Sequence, residues 1–195
     1  MSARTRLSRE LIIRTAADLL DRADGREVTL AQVADALGVR TPSLYNHIDG
    51  QDDLHRGVAI FAVRELGARI AHAAIGKTGD AAVLAIGHAY RQFARERPGL
   101  YRASLRAPGP DQQDLIAASG AILAVLRLVL DVYGLAEADQ VHAIRGLRSL
   151  LHGFVSLELA GGFGLPVDLD QSFHRLLQTF LDGLRRERAR ADGAA

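Results

Sequence analysis

Apolar residues recur at helical spacing through nearly the whole chain, and this pattern limits the fold more than any other feature. Ile13, Ala16, Ala17 and Leu20 stand at i, i+3, i+4 and i+7, and the sets Leu54, Val58, Phe61 and Phe173, Leu177, Phe180 follow similar helical spacing. A helix places such residues on one face, so each segment needs another helix to cover its stripe. No segment alternates apolar and polar residues between hairpin turn signals, so a sheet is not expected. The fold class read from this pattern is all-α.

Local punctuation divides the chain into about nine helices. Ser8 is a suitable N-cap for the first, which runs to about Ala23 and is closed by Asp24-Gly25. Thr29-x-x-Gln32 is a capping box for a short second helix ending at Gly38. Thr41 as N-cap and Pro42 at the first helical position open a third, since a missing N–H costs nothing there. The fourth spans about Gln51 to Ala74, and Asp80 caps a fifth that reaches about Arg97. Pro98-Gly99 starts a short sixth, ended by Pro108-Gly109-Pro110. The seventh covers about Gln112 to Tyr133 with Gly134 as its stop, the eighth Glu137 to Ala160, and the ninth Asp168 to about Arg190.

Composition sets limits on class and compartment. With 195 residues and 48 % hydrophobic content the chain can bury a substantial core. It has no cysteine, which excludes disulfides and thiolate metal sites. The N-terminus is polar and arginine-rich with no apolar stretch behind it, unlike a secretory signal. The most apolar run, Ala121 to Leu130, is interrupted by Arg127 and is shorter than a bilayer span. A soluble cytoplasmic protein with no membrane partner is expected. Of 24 basic residues only Lys77 is lysine, and arginine is spread along the chain, as coding bias would leave it.

The second and third helices lie about three residues apart with Gly38 between them, a helix-turn-helix arrangement. Val33, Leu37, Val39 and Leu44 are spaced to pack both on the first helix, while Ala34 is small where the helices cross. The third helix then projects Arg40, Thr41, Ser43, Tyr45, Asn46 and His47, donors and acceptors suited to base edges and phosphates in a major groove. A plain helical hairpin with a polar face is the structural alternative, and His47 alternatively packs inward beside Ile48. Arg4, Arg6 and Arg9 precede the first helix, as in arms that follow a DNA backbone or enter a minor groove. Residues 1–50 hold seven arginines and seven acids, so any binding face depends on placement and not on bulk charge.

The stretch "TLAQVADALGVRTPSLYNHIDGQDDL" resembles the DNA-binding signature of TetR-type one-component transcriptional regulators, with the match covering about residues 8–54. The resemblance implies a helix-turn-helix domain, here residues 1–50, followed by an all-helical ligand-binding and dimerisation domain, here 51–190, with 191–195 a polar tail. It implies DNA contacts by Arg4, Arg6, Thr29, Arg40, Thr41, Pro42, Ser43, Tyr45, Asn46, His47 and Gln51. The family usually places a phosphate-binding lysine where this chain has Gln51, followed by Asp52 and Asp53. Those aspartates suit a helix first turn. "LLHGFVSLELAGGFGLP" is similar to a subgroup marked by a Trp-His-Gly element; His152-Gly153 is kept and tryptophan is absent.

Such a regulator pairs about a two-fold axis on a near-palindromic operator. The expected dimer face is Phe154, Leu157, Phe173, Leu177, Phe180 and Leu181, pairing into a four-helix bundle. A largely apolar effector is expected in a pocket enclosed by the fifth to eighth helices, among Phe93, Tyr101, Leu105, Leu123, Arg127, Arg148 and His152. No cofactor or metal is called for. The histidines lack paired metal spacing, and "GGFG" at Gly161 to Gly164 follows a helix, not a strand, so an enzyme is disfavoured. A ligand-responsive repressor is the leading reading. A DNA-binding protein without a small-molecule effector, controlled by a partner protein, is the other.

Overall fold

The computed structural model describes residues 6–23, 26–106 and 108–193, and every regular element among them is helical. Eight α-helices follow in order: α1 (Arg9–Arg22), α2 (Leu30–Leu37), α3 (Gly50–Ala74), α4 (Gly79–Glu96), α5 (Pro98–Ser104), α6 (Gln113–Leu130), α7 (Glu137–Leu159) and α8 (Leu169–Gly193). Two 3-10 turns, Thr41–Asn46 and Asp131–Tyr133, complete the set. The all-α class and the helix order match the sequence pattern.

Several local expectations need correction. The third element is a 3-10 turn, and its cap position is Arg40, with no side-chain cap; Thr41 and Pro42 are already inside it. The segment is too short to gain much from α geometry, and Leu44 is its only buried residue. Asp80 lies within α4, and its carboxylate is taken by the Tyr133 hydroxyl (2.5 Å) and by Arg185 in place of capping. Gln113–Tyr133 is, by length and composition, long and apolar enough to cross a membrane, contrary to the expectation for this region. It buries Leu126, Val129 and Leu130 in protein. The proposed stop at Asp24-Gly25 lies outside the described residues.

The chain forms two compact units, and neither follows a cut at residue 50. The first holds residues up to Leu66 with Glu96–Ala118. Its core is Ile12, Ala16 and Ala17 of α1, Val33 and Ala34 of α2, and Leu44, Ile48 and Leu54. Asp21 of α1 accepts from the backbone N–H groups of Gly99 (2.9 Å) and Leu100 (3.0 Å). It thereby serves donors that the start of α5 leaves unpaired. Arg97 pairs with Asp18 (2.9 Å) and also with Asp21. A Cβ on Gly99 would fall 2.5 Å from the Leu20 backbone, so α5 rests directly on α1.

The second unit holds Gly67–Arg95 and the chain from Ser119 onward. Phe93, Leu147, Leu151, Phe173, Leu177 and Leu181 are among its buried residues. Arg91 is only 5 % exposed. Its guanidinium bonds both oxygens of Glu158 (2.8 and 2.6 Å) and reaches Asp170 at 2.7 Å. It also lies over the rings of Phe154 and Phe173, 5.4 and 5.0 Å from their centroids. One arginine of α4 therefore ties α7 and α8 by charge and by cation–π contact.

Candidate nucleic-acid interface

The start of α2 is built from both sides. Thr29 Oγ1 accepts from Gln32 N (3.3 Å), and the Gln32 side chain accepts from Thr29 N (2.8 Å), so both halves of the capping box form. A third donor, Leu30 N, is served by Gln51 of α3 at 3.1 Å. The same amide donates to Val28 O (2.7 Å) and meets His55 Nε2 at 2.7 Å. Gln51 thus staples α3 to the segment entering α2, and its polar atoms are engaged within the protein.

At its other end α2 closes on Gly38, whose φ of +65° is left-handed. A residue with a Cβ is strained there. The Val39 N–H returns to Ala34 O (3.0 Å), and the chain turns sharply into the 3-10 element. Leu44, fully buried, pins that element to the core, and Ile48 follows it inward.

Around this anchor the polar residues face outward. Tyr45 is 59 % exposed, and Arg40, Pro42, Asn46 and His47 are also exposed; Thr41 and Ser43 are half-buried. His47 therefore does not pack inward; Ile48 occupies that role. Arg6 is exposed, and Thr29 is exposed although its hydroxyl serves the cap. Arg4 lies outside the described residues.

Arg9 does not belong to a free arm. It is the first residue of α1, and its guanidinium grips Asp53 through both terminal nitrogens (2.5 and 2.8 Å). The same group donates to the His47 carbonyl at 3.2 Å. Asp53 is 7 % exposed and also accepts from Asp49 N (3.0 Å) and Arg56 (3.1 Å). The Arg9 hydrogen bonds hold its carboxyl far below the usual carboxylate range, against the opposing effect of burial and with help from Asp49 N–H and Arg56. Asp53 is more than a dipole-complementing residue: it joins α1, the end of the 3-10 turn Thr41–Asn46 and α3. Sequence reasoning missed this hub, because Arg9 and Asp53 are 44 residues apart and no local spacing links them.

The other expected sites fare differently. Tyr101 and Leu105 belong to the first unit, whereas Phe93, Leu123, Arg127, Arg148 and His152 belong to the second. Phe93 and Tyr101 are core residues, and Leu123, Arg127 and Arg148 are exposed. Of the expected dimer face, Phe154, Phe173, Leu177 and Leu181 are buried within the chain's own fold. An amphipathic helix must spend one face on its own core, and these residues are that face. Leu157 is 51 % exposed and Phe180 half-buried, so these two remain open to a partner.

The family described as tetracycline repressor-like, C-terminal domain, matches residues 83–180. The chain is 35 % identical over 184 residues to the HTH-type transcriptional regulator YobS of Bacillus subtilis, covering 94 % of this chain and 96 % of that one. It is 36 % identical over 182 residues to the HTH-type transcriptional regulator Rv0681 of Mycobacterium tuberculosis, covering 93 % and 83 %. In fold it is similar to a TetR variant of Acinetobacter baumannii crystallised with minocycline, with a TM-score of 0.71, 19 % identity, and coverage of 94 % and 99 %. With a repressor-like C-terminal domain match over half of the chain and two HTH-type regulators aligned along nearly all of it, the chain belongs to the TetR family of DNA-binding transcriptional regulators and is not an enzyme.

Proposed function

We propose that the protein is a cytoplasmic, ligand-responsive repressor that binds a near-palindromic operator as a homodimer and leaves it when a small, largely apolar molecule binds. The carrying observation is the exposed polar cluster of Arg40, Tyr45, Asn46 and His47 set around one buried anchor, Leu44. In this reading Arg40 and Asn46 address bases. Thr41, Ser43, Tyr45 and His47 meet phosphates or groove edges, beside Pro42 and Thr29, while Arg6 and Arg4 follow the backbone. Gln51 supports α2 and gives at most a weak phosphate contact. Half-sites stand about one helical turn (~34 Å) or a multiple apart.

For the dimer, the outward positions of α7 and α8 supply the surface in place of the core stripe. Leu157 lies there with Gly153 and Gly183, where an added Cβ would meet nothing within 4 Å. Small residues allow a partner helix to approach closely.

Selection of bound DNA from a random library tests the reading. A palindromic enriched sequence is expected. Asn46→Ala should cost about 1–3 kcal/mol on it and relax preference at one position per half-site. Failure to enrich any sequence overturns the proposal. Control by a partner protein without an effector draws on the exposed apolar residues Leu123 and Leu128 of α6. A thermal-shift screen separates the two, since only the first predicts a small molecule that both stabilises the protein and weakens DNA binding.

A further inference from the structure

The first unit contains an open groove of about 610 Å³ between α1, the first turns of α3, and α5. That volume is within the range of small-molecule sites. Its floor is apolar, with Leu20, Val28, Leu54 and Val58. Its rim is cationic: Arg26, Arg56, Arg102 and Arg106 stand against two acids, Glu27 and Asp52. Arg56 is bonded to Asp53 and Arg26 to the Ala23 carbonyl. Arg102 and Arg106 are exposed and have no side-chain hydrogen bond or ion pair among the described residues.

We propose that this groove is a binding site for a small anionic amphipathic molecule, a carboxylate or sulfonate with a compact apolar body. The body would cover the floor, and the anionic head would bridge Arg102 and Arg106, whose forked donors can each take two oxygens of a carboxylate or sulfonate. Duplex DNA does not suit this site, because a convex phosphate backbone cannot reach an apolar floor walled by three helices. The proposal deepens the ligand-responsive reading above by giving the effector a place and a charge, and it rests on that reading only for its effect on DNA.

The site's link to DNA reading lies in α3. Asp52, His55 and Arg56 face the groove, while Gln51 and Asp53, interleaved with them, hold α2 and the reading turn. An anion that draws on Arg56 competes with Asp53 for it. Occupancy therefore biases the support beneath the reading turn.

The test uses 1-anilinonaphthalene-8-sulfonate and its uncharged parent, N-phenyl-1-naphthylamine, titrated by fluorescence into the full chain without DNA. The sulfonate should bind more tightly than the parent. Arg102→Gln with Arg106→Gln should weaken the sulfonate about tenfold or more and leave the parent unchanged. Ala103→Phe, which fills one wall, should weaken both probes. If it does not fold, the arginine pair decides alone. A sulfonate titration unaltered by the arginine pair overturns the site. So does a loss of DNA affinity in the arginine variant without probe, which would assign those arginines to DNA. Because the fluorescence arm needs no DNA, its failure is distinct from failure of the DNA-binding reading.

Discussion

Asp53 places a negative charge close to a surface that should meet phosphates, and its neighbours remove the conflict. Arg9 and Arg56 neutralise it, and Asp49 N–H takes a further share of its oxygens. Asp53→Asn keeps the shape and removes the charge. It should lower stability by about 1–2 kcal/mol, since hydrogen bonds to charged groups are strong but Arg9 is partly exposed. A carboxyl whose folded pKa is depressed contributes fully above the unfolded value of about 3.9 and loses that contribution as pH falls below it. Urea midpoints of the two proteins should therefore differ at neutral pH and converge well below pH 4. Gln51 is the second informative residue. Lysine there can donate to Val28 O but cannot accept from Leu30 N. Gln51→Lys should cost about 1 kcal/mol in urea unfolding while steepening the salt dependence of DNA binding by about one unit. A stable variant with an unchanged salt slope would show that neither role is real.

At the scale of elements, most short-range signals were legible, with the caps read at Thr41 and Asp80 as exceptions, and long-range ones were not. The capping box at Thr29 and the turn at Gly38 follow from residue types within four positions of each other, and both form as expected. The helical period also gave all eight α-helices and misread only the third element, where six residues carry too little pattern to separate α from 3-10 geometry. Apolar residues on α8 were readable as a face, but whether that face meets its own chain or a partner is decided by tertiary packing, which periodicity does not encode. The Arg91 clamp and the seat of Gly99 on Leu20 join residues far apart in sequence and left no local trace. These two joints give the sharpest contrasts. Arg91→Ala leaves Glu158 without its buried partner and should cost about 3–5 kcal/mol by urea unfolding. Gly99→Ala drives a methyl into backbone and should cost about 1–3 kcal/mol. Gly38→Ala meets no neighbour and suffers only its positive φ, about 1 kcal/mol.

For the molecule as a whole, a net charge of +1 cannot hold DNA by bulk attraction, so in the proposed dimer affinity comes from placement and from pairing two reading heads. One short reading turn sees few base pairs, and its affinity alone is modest. Linking two heads on one palindrome multiplies it by an effective concentration, and breaking the pair forfeits that factor without touching any DNA-contacting residue. Leu157→Glu tests this cleanly, because Leu157 is half exposed and lies outside the monomer core. The variant should keep its helical circular dichroism and run by light scattering at the mass of one chain, 21.0 kDa. Its affinity for the selected palindrome should fall by about a hundredfold or more, while its affinity for a single half-site stays the same. Leu177→Glu, in the buried stripe of the same pair of helices, should instead unfold the protein. If Leu157→Glu retained the mass of two chains, the outward faces of α7 and α8 would not be the interface. The exposed apolar side of α6, with Leu123 and Leu128, would then be the surface to substitute next.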